Sequence, residues 1–276
     1  MDNILKKNEL LLVSVVKNFY ISADECKNKL NMRTTIQYTL LSLLMACAMS
    51  CTKQDEPNNG NNNGNNGNEN VATGTLNGHV WVDLGLPSGT LWATCNVGAY
   101  NPEDYGDYFA WGETMTKTTY NWDTYKFVTG NYGQYLTKYY NSNSSIGNNS
   151  STDNLTTLQF MDDAATAKWG SGWHMPTINQ WYEIRDKTTK KWTIKNGVKG
   201  CLITGPNGNN IFLPAAGLHN ENGFNFAGND GYYWSSSLCI DEPYFASKIS
   251  FSSYGLSPSN TGRYLGYSVR AVCSAH

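Results

Sequence analysis

Charged residues are scarce in this 276-residue chain, and neither sign dominates. Asp, Glu, Lys and Arg make up 15% of it, and the formal net charge is −2. A nucleic-acid-binding protein needs a basic surface that neutralises phosphates, so we predict no nucleic-acid partner. The mean hydropathy of −0.48 argues against a membrane protein with several spans. Aromatic residues are abundant, and the 18 Tyr, 9 Trp and 9 Phe exclude a globally disordered chain.

Motifs for metal, cofactor or catalytic chemistry are also lacking. The chain has no C-x-x-C pair and no His-rich spacing, which argues against a zinc site. It has no phosphate-binding loop and no Rossmann glycine pattern. Its histidines, His79, His174, His219 and His276, adjoin no recognisable nucleophile motif. We predict no catalytic residue, no metal and no cofactor, although a Ser-His-Asp triad stays open because such triads are found by geometry.

A short apolar segment near the front of the chain has the layout of a secretory signal. Arg33 precedes an apolar run that stops at Cys51, and this run is too short to span a bilayer. The residues from Ala48 to Cys51 resemble the lipobox of bacterial lipoproteins, in which the cysteine carries a lipid. We predict a lipoprotein signal peptide over residues 32–50 and lipidation of Cys51. The alternative is an ordinary cysteine at the end of a signal peptide.

Residues 1–31 precede this signal and fit no part of it. We interpret them as a misassigned upstream extension, with the true start at Met32. The alternative is a real cytoplasmic extension ahead of the signal.

Residues 51–72 are predicted to be the lipidated cysteine followed by a flexible tether. Residues 58–70 contain only Asn, Gly and Glu, so no apolar side chain offsets the entropy lost on ordering. The acidic pair Asp55 and Glu56 resembles the surface-export signal of Bacteroidetes-type lipoproteins. We therefore expect the lipid to hold the protein on the outer membrane, with the folded part exposed at the cell surface.

Residues 73–276 are predicted to form one α+β domain. A helix is predicted over residues 153–168 with Asp153 as its cap, and a second begins after Thr177, which forms a capping box with Gln180. Strands are predicted at residues 79–84, 91–95, 192–194, 200–204, 210–214, 231–236, 245–251 and 266–272. Because the helices are grouped between strands, the class is α+β rather than alternating α/β.

The domain contains four cysteines, Cys95, Cys201, Cys239 and Cys273. Export makes disulfides possible, and four cysteines allow three connectivities that the sequence does not distinguish. The alternative is four buried free thiols.

Six segments carry a family resemblance. They are Trp81–Ala93, Tyr105–Glu113, Gly172–Thr177, Phe212–Gly217, Tyr233–Ser237 and Gly266–Arg270. Together they resemble the Fibrobacter succinogenes major paralogous domain, which recurs in surface lipoproteins of gut Bacteroidetes. The segment from Met175 to Trp181 is more distantly similar to formylglycine-generating-enzyme-like domains, which share the C-type-lectin-like fold.

The resemblance implies two helices on a small twisted, mostly antiparallel sheet, long irregular loops and paired chain ends. If the ends pair, a disulfide between Cys95 and Cys273 is favoured. Catalysis of the formylglycine-generating type needs a cysteine pair that binds copper, and only Cys239 lies in the corresponding late region, so we do not expect an enzyme. Asn229–Asp230 and Asp241–Pro243 faintly resemble a lectin calcium motif, but their spacing does not match it; the alternative is a solvated acidic turn.

Aromatic side chains crowd residues 105–140 among polar neighbours. Tyr132, Tyr135, Tyr139 and Tyr140 lie beside a very polar stretch, so we predict that they are exposed and bind a ligand. The alternative is that such rings fill the core of an irregular region. The function expected from the sequence is a surface module that binds a glycan or a protein; the alternatives are a structural, fimbria- or envelope-associated lipoprotein and a related enzyme.

Overall fold

The computed structural model describes residues 73–130, 135–140 and 153–274. The chain divides into two units, residues 1–67 and 68–276, and all of the described residues belong to the second. The predictions for residues 1–31, 32–50 and 51–72, including lipidation of Cys51, lie outside the described part. No helix that the structure describes has the length and apolarity needed to cross a membrane.

The two ends of the described chain meet in one sheet. Its strands are β1 (Thr73–Leu76), β2 (His79–Asp83), β3 (Thr90–Ala93) and β16 (Val272–Ser274), in the order β1-β2-β3-β16. The last strand runs antiparallel to β3, with Val272 opposite Trp92, and neither residue is exposed. The pairing of the chain ends is therefore present.

Two α-helices lie in the middle of the described chain, α1 (Ala164–Trp169) and α2 (Ile178–Lys187). The capping box predicted for α2 is confirmed, because Thr177 Oγ1 accepts from Gln180 N and the Gln180 side chain accepts from Thr177 N at 2.8 Å. Trp181 and Ile184 are fully buried.

The helix predicted over residues 153–168 is wrong for its first half. A 3-10 turn at Phe160–Asp162 precedes α1, and Asp163 caps α1 by accepting from Thr166 N at 3.0 Å. The residues before this turn are extended because they bond to the sheet; Leu158 N donates to Ser236 O at 2.9 Å. Asp153 accepts instead from the backbone amides of Tyr139 and Tyr140.

After the helices, most described residues lie in strands, and most of these strands pair antiparallel. Strands β7 (Thr189–Lys195), β8 (Val198–Thr204) and β9 (Asn210–Pro214) form a three-stranded meander. The turn predicted at residues 206–208 joins β8 to β9.

A five-stranded sheet has the order β14-β13-β12-β15-β4. Its strands are β4 (Tyr108–Phe109), β12 (Gly231–Leu238), β13 (Phe245–Ser252), β14 (Gly255–Gly262) and β15 (Tyr267–Ser268). Only β12 and β15 run parallel within it. Two small hairpins complete the described strands, β5 (Val128–Thr129) with β6 (Tyr135–Leu136) and β10 (Leu218–Asn220) with β11 (Gly223–Asn225). The α+β class with mostly antiparallel strands is confirmed.

Two fully buried arginines join backbone segments that are far apart in the chain. Arg270 donates to the carbonyl oxygens of Ala93, Thr94 and Phe212 at 2.8–3.0 Å. Arg263 donates to the carbonyls of Lys138, Tyr139 and Pro243 and to the Tyr125 hydroxyl. Arg270 joins the end of β3 to β9, and Arg263 satisfies carbonyls of Lys138, Tyr139 and Pro243, which lie outside the strands.

The predicted Cys95–Cys273 disulfide is wrong in this structure, where the four described cysteines are free thiols. Cys273 pairs with Leu91 across the β3–β16 ladder. Cys95 lies four residues beyond Leu91, about 13 Å further along an extended chain. A disulfide requires Cα atoms within about 7 Å, so the strand register that pairs the chain ends also separates these two thiols.

Candidate functional site

Two of the four tyrosines predicted to bind a ligand are not at the surface. Tyr139 is 0% exposed and Tyr140 is buried, so the predicted exposure is wrong for both. Tyr135 is half-buried on β6, and Tyr132 lies outside the described residues.

Tyr139 is buried because the fold supplies a partner for its hydroxyl. That hydroxyl donates to Asp162 Oδ2 at 2.7 Å and accepts from Gln159 N at 3.0 Å. Its ring packs edge-on against Trp111 and Phe127, with centroids 5.0 and 5.6 Å away. Burial raises the pKa of Tyr139, which therefore stays protonated and able to donate. For Tyr139, the alternative that the ring fills the core is therefore correct.

Trp122 is the aromatic residue of the same segment that lines an open cleft. It begins a 3-10 turn, Trp122–Thr124, which is fixed by a capping box between Asn121 and Thr124. Its ring lies 4.9 Å from the Tyr264 ring at a tilt of 55° and meets the Tyr125 ring edge-on at 5.6 Å. Trp122 and Tyr264 are both half-buried, so each has some ring surface exposed to solvent.

The position of Tyr264 follows from its neighbour in the chain. Arg263 is buried and donates to the Tyr125 hydroxyl at 2.9 Å and to Pro243 O at 2.7 Å. The backbone of Arg263 is bonded as well, because its N–H donates to Tyr244 O at 3.1 Å and its carbonyl accepts from Trp111 N at 2.9 Å; the next residue places its ring against Trp122. Burial of the arginine therefore contributes indirectly to the geometry of the cleft.

The opposite wall comes from the β10–β11 hairpin. His219 and Gly266 exchange two backbone hydrogen bonds of 2.8 Å, which tie the hairpin to the chain segment that carries Tyr264. Asn220 Oδ1 accepts from Asn222 N and from Asn225 Nδ2, so the hairpin turn is held by its own side chains. The two walls are thus connected through backbone rather than through mobile side chains.

We call this space the Trp122 cleft. It measures about 220 Å³ and is lined by Asn121, Trp122, Asp123, Asn220, Glu221, Tyr264 and Leu265. Drug-sized ligands occupy about 300–1,000 Å³, so this cleft suits one small ring. Its described lining contains two carboxylates and two amides but no Lys or Arg, which favours a neutral, hydroxyl-bearing ligand over an anion.

A second cleft of about 440 Å³ lies beside Tyr100, whose side chain is 95% exposed. The His79 ring stacks on Trp169 at 3.9 Å within it, and burial lowers the pKa of His79. Cys95 also lines this cleft, but its thiol donates to Tyr100 O, and no hydrogen bond joins it to His79, which the structure also describes. The pair therefore lacks the contact that a Cys–His nucleophile requires.

Neither of the other described histidines bonds to a nucleophile through its ring. His219 Nδ1 lies 3.0 Å from Asn220 O, and His174 is joined to Val272 by backbone bonds. His276 lies outside the described residues. Within residues 73–130, 135–140 and 153–274, no group of three or more His, Cys, Asp or Glu side chains is placed to hold a metal ion.

No protein-family model, curated protein or solved structure matches this chain. The geometry of the clefts is therefore the basis for its functional interpretation.

The aromatic-rich segment singled out in the sequence contributes Trp122 to the cleft, but none of its described tyrosines lines that cleft. Trp122 belongs to the aromatic-rich stretch, yet its partners Tyr264 and Asn220 lie about 100 or more residues further along the chain. No local pattern joins them. One signal was available: Asn121 followed by Thr124 is a capping pattern, which indicates a rigid turn around Trp122.

Proposed function

We propose that this protein is a lipid-anchored module of the cell surface that binds a neutral glycan in the Trp122 cleft. The lipobox-like sequence at Cys51 and the Asn/Gly tether support the anchor and the distance from the membrane. The observation that carries the binding proposal is the pair of Trp122 and Tyr264 rings beside the Asp123, Asn220 and Glu221 side chains.

This combination fits the chemistry of a sugar ring. The C–H groups of a pyranose present an apolar face that packs on aromatic rings, and Tyr and Trp offer apolar area together with a polar edge. The hydroxyl groups around the ring donate to carboxylates and exchange bonds with amides. A cleft with both kinds of group selects a hydroxylated ring over a purely apolar ligand.

We further propose that the domain adopts the C-type-lectin-like fold and belongs with the Fibrobacter-type surface domains that its motifs resemble. The grouped helices, the paired chain ends and the short strands and 3-10 turns described between β4 and α1 support this assignment. Membership would place the Trp122 cleft in the loop region of that fold.

The binding proposal is tested with the mature protein, solubilised in mild detergent, on an array of neutral and acidic glycans. We expect saturable binding to one class of neutral glycans. The variant Glu221→Gln should weaken this binding about fivefold or more, because a charged acceptor is lost. Glu242→Gln, which changes an equally exposed carboxylate outside the cleft, is the control. Absence of saturable binding to any neutral glycan would contradict the proposal and favour a structural role in the envelope.

The anchor is tested separately. Cys51→Ser should release the protein from the outer-membrane fraction, because the lipid chains that hold it are no longer attached. Cys95→Ser removes a thiol in the folded domain and should leave the fractionation unchanged. Retention of the Cys51→Ser variant in the membrane would contradict the lipid anchor.

A further inference from the structure

The second cleft, beside Tyr100, has no part in the proposed glycan site. It measures about 440 Å³, about twice the volume of the Trp122 cleft, and falls within the range of ligand-binding clefts in proteins. We call it the His79 cleft; its lining includes His79, Val80, Thr94, Cys95, Tyr100 and Trp169. None of these residues lines the Trp122 cleft, so a ligand bound here is a second ligand.

The aromatic wall of the His79 cleft is built on a hairpin turn. Asn77 lies between β1 and β2, and its side-chain amide donates to the carbonyl oxygens of Trp169 and Ser171 at 2.9 and 3.0 Å. These bonds tie the hairpin to the end of α1. His79, the first residue of β2, stacks its ring on Trp169 with 3.9 Å between the centroids and 14° between the planes. The wall is therefore formed before a ligand arrives, which reduces the entropy lost on binding.

Two other lining residues expose apolar surface to solvent. Tyr100 is 95% exposed and Val80 is 41% exposed. The Cys95 thiol donates to Tyr100 O, and Asp104 accepts from the backbone and side-chain amides of Asn101, so the loop that carries Tyr100 is held on both sides of it. Exposed aromatic and branched side chains at a preformed cleft are the kind of surface that an apolar ligand covers.

The described lining of the His79 cleft is uncharged at neutral pH. It contains no Asp, Glu, Lys or Arg, and burial lowers the pKa of His79, which keeps the imidazole neutral. The ring nitrogens of His79 form no hydrogen bond with a described residue, so one can donate to a ligand and the other can accept from it. The lining also lacks the carboxylates and amides found around Trp122, and it offers few partners to the hydroxyls of a sugar.

We propose that the His79 cleft binds an uncharged aromatic ligand that carries one hydroxyl group, such as a phenol. The ring of the ligand packs against the rings of His79, Trp169 and Tyr100, because aromatic pairs gain from contacts between ring edges and ring faces. Its hydroxyl bonds to a free nitrogen of His79. A charged ligand would lose its hydration here without meeting an opposite charge. This site goes beyond the proposed glycan binding and does not depend on it.

The test uses the full mature protein and measures the binding of naphthol by calorimetry at pH 7, where naphthol is uncharged. Tyr100→Ala removes the exposed ring, and we expect affinity to fall about fivefold or more because a ring contact is lost. Tyr254→Ala is the matched control, since Tyr254 is 99% exposed and does not line the His79 cleft. Circular dichroism and urea unfolding confirm that both variants are folded.

A second variant separates the hydrogen bond from the ring packing. His79→Phe keeps a ring beside Trp169 but removes both nitrogens, so the affinity for naphthol should fall about fivefold. Naphthalene lacks the hydroxyl, and we expect it to bind wild type and His79→Phe equally well. An equal loss for naphthol and naphthalene would overturn the contact between the hydroxyl and His79.

The remaining outcomes decide the ligand class. No saturable binding of naphthol by the wild type, or wild-type affinity in folded Tyr100→Ala, would overturn the proposal. Octanol is an uncharged alcohol with an alkyl chain, and if it binds as tightly as naphthol the cleft takes alkyl chains and the proposal is wrong. Trp122→Ala should leave naphthol binding unchanged, so failure of the glycan proposal is distinguishable from failure of this one.

Discussion

Two regions of this protein place a lysine ammonium about 5.0 Å above a tyrosine ring, and they differ in what else the ammonium meets. Lys138 lies over Tyr139 and also contacts Asp162 Oδ2 at 2.5 Å. Lys248 lies over Tyr232 at the same distance and has no carboxylate within 4 Å in the part of the chain that the structure describes.

The difference separates a cluster in which the charges are paired from a lysine whose ammonium has only a ring contact. Asp162 accepts from Lys126, Lys138 and the Tyr139 hydroxyl, so each donor in that cluster has a partner and the region is closed. Lys248 contacts the Tyr232 ring but forms no hydrogen bond or ion pair with a described residue. A complete set of partners stabilises the fold, whereas a largely buried charge without an ion-pair partner costs stability.

Removing the shared acceptor should break the closed cluster. Asp162→Ala leaves two ammonium groups and a buried hydroxyl without their partner, and we expect the free energy of unfolding to fall by about 3 kcal/mol. Burial alone would raise the pKa of Asp162, but hydrogen bonds from Lys138, Tyr139 and Lys126 outweigh it and hold the pKa below its usual value. Urea unfolding gives the measurement, with the exposed Asp241→Ala as control.

The stabilisation by Asp162 should depend on pH. Because its folded pKa is lowered, its contribution is present above the pKa of the unfolded carboxyl and is lost as the pH falls through the folded value. The difference in the free energy of unfolding between wild type and Asp162→Ala should therefore become smaller at acidic pH. If this difference does not change with pH, the ionised form of the Asp162 carboxyl is not what stabilises the fold.

Removing the charge of Lys248 should change stability in the opposite direction and raise the free energy of unfolding. Burial lowers the pKa of Lys248 to about 8. Between that value and the ordinary lysine pKa the unfolded chain binds more protons, so wild-type stability rises with pH in this window. Lys248→Met should be more stable than the wild type at pH 7 by about 1–3 kcal/mol, and the difference should shrink by pH 10.5. A variant less stable than the wild type at pH 7 would contradict the unpaired state of Lys248.

Removing the Tyr139 hydroxyl tests the same cluster around Asp162 and should have a smaller effect on stability. Tyr139→Phe keeps the ring but removes the donor to Asp162 and the acceptor for Gln159 N. We expect a loss of about 1–2 kcal/mol in the free energy of unfolding, without effect on glycan binding. Tyr182→Phe, on the exposed side of α2, is the control. Loss of glycan binding in folded Tyr139→Phe would restore the ligand role predicted from the sequence.

Local sequence patterns predicted the elements that are stabilised locally. The capping box at Thr177 and Gln180 and the turn at residues 206–208 depend on neighbouring residues, so they are visible in the sequence. The extended path of residues 153–159 is not, because apolar spacing typical of a helix is overridden by pairing with β12.

The candidate site could be predicted less well, for the same reason. The exposure of a tyrosine depends on whether a distant acceptor reaches its hydroxyl, and Asp162 lies 23 residues from Tyr139. The Trp122 cleft joins three segments that are far apart in the chain. The predicted Cys95–Cys273 disulfide is wrong because of the strand register. The chain ends do pair in one sheet, but Cys273 lies opposite Leu91 and not beside Cys95.

The most direct test of the proposed function is the affinity of the neutral glycan for Trp122→Ala. Trp122 is half-buried and packs on the rings of Tyr125 and Tyr264, so this change should cost about 2 kcal/mol in stability, and urea unfolding shows whether the variant is folded. The dissociation constant for the glycan should rise about fivefold or more, because the ring that packs on the sugar is lost. Tyr182→Ala, an exposed aromatic outside the cleft, should bind as the wild type does. Unchanged affinity in folded Trp122→Ala would contradict glycan binding at this cleft.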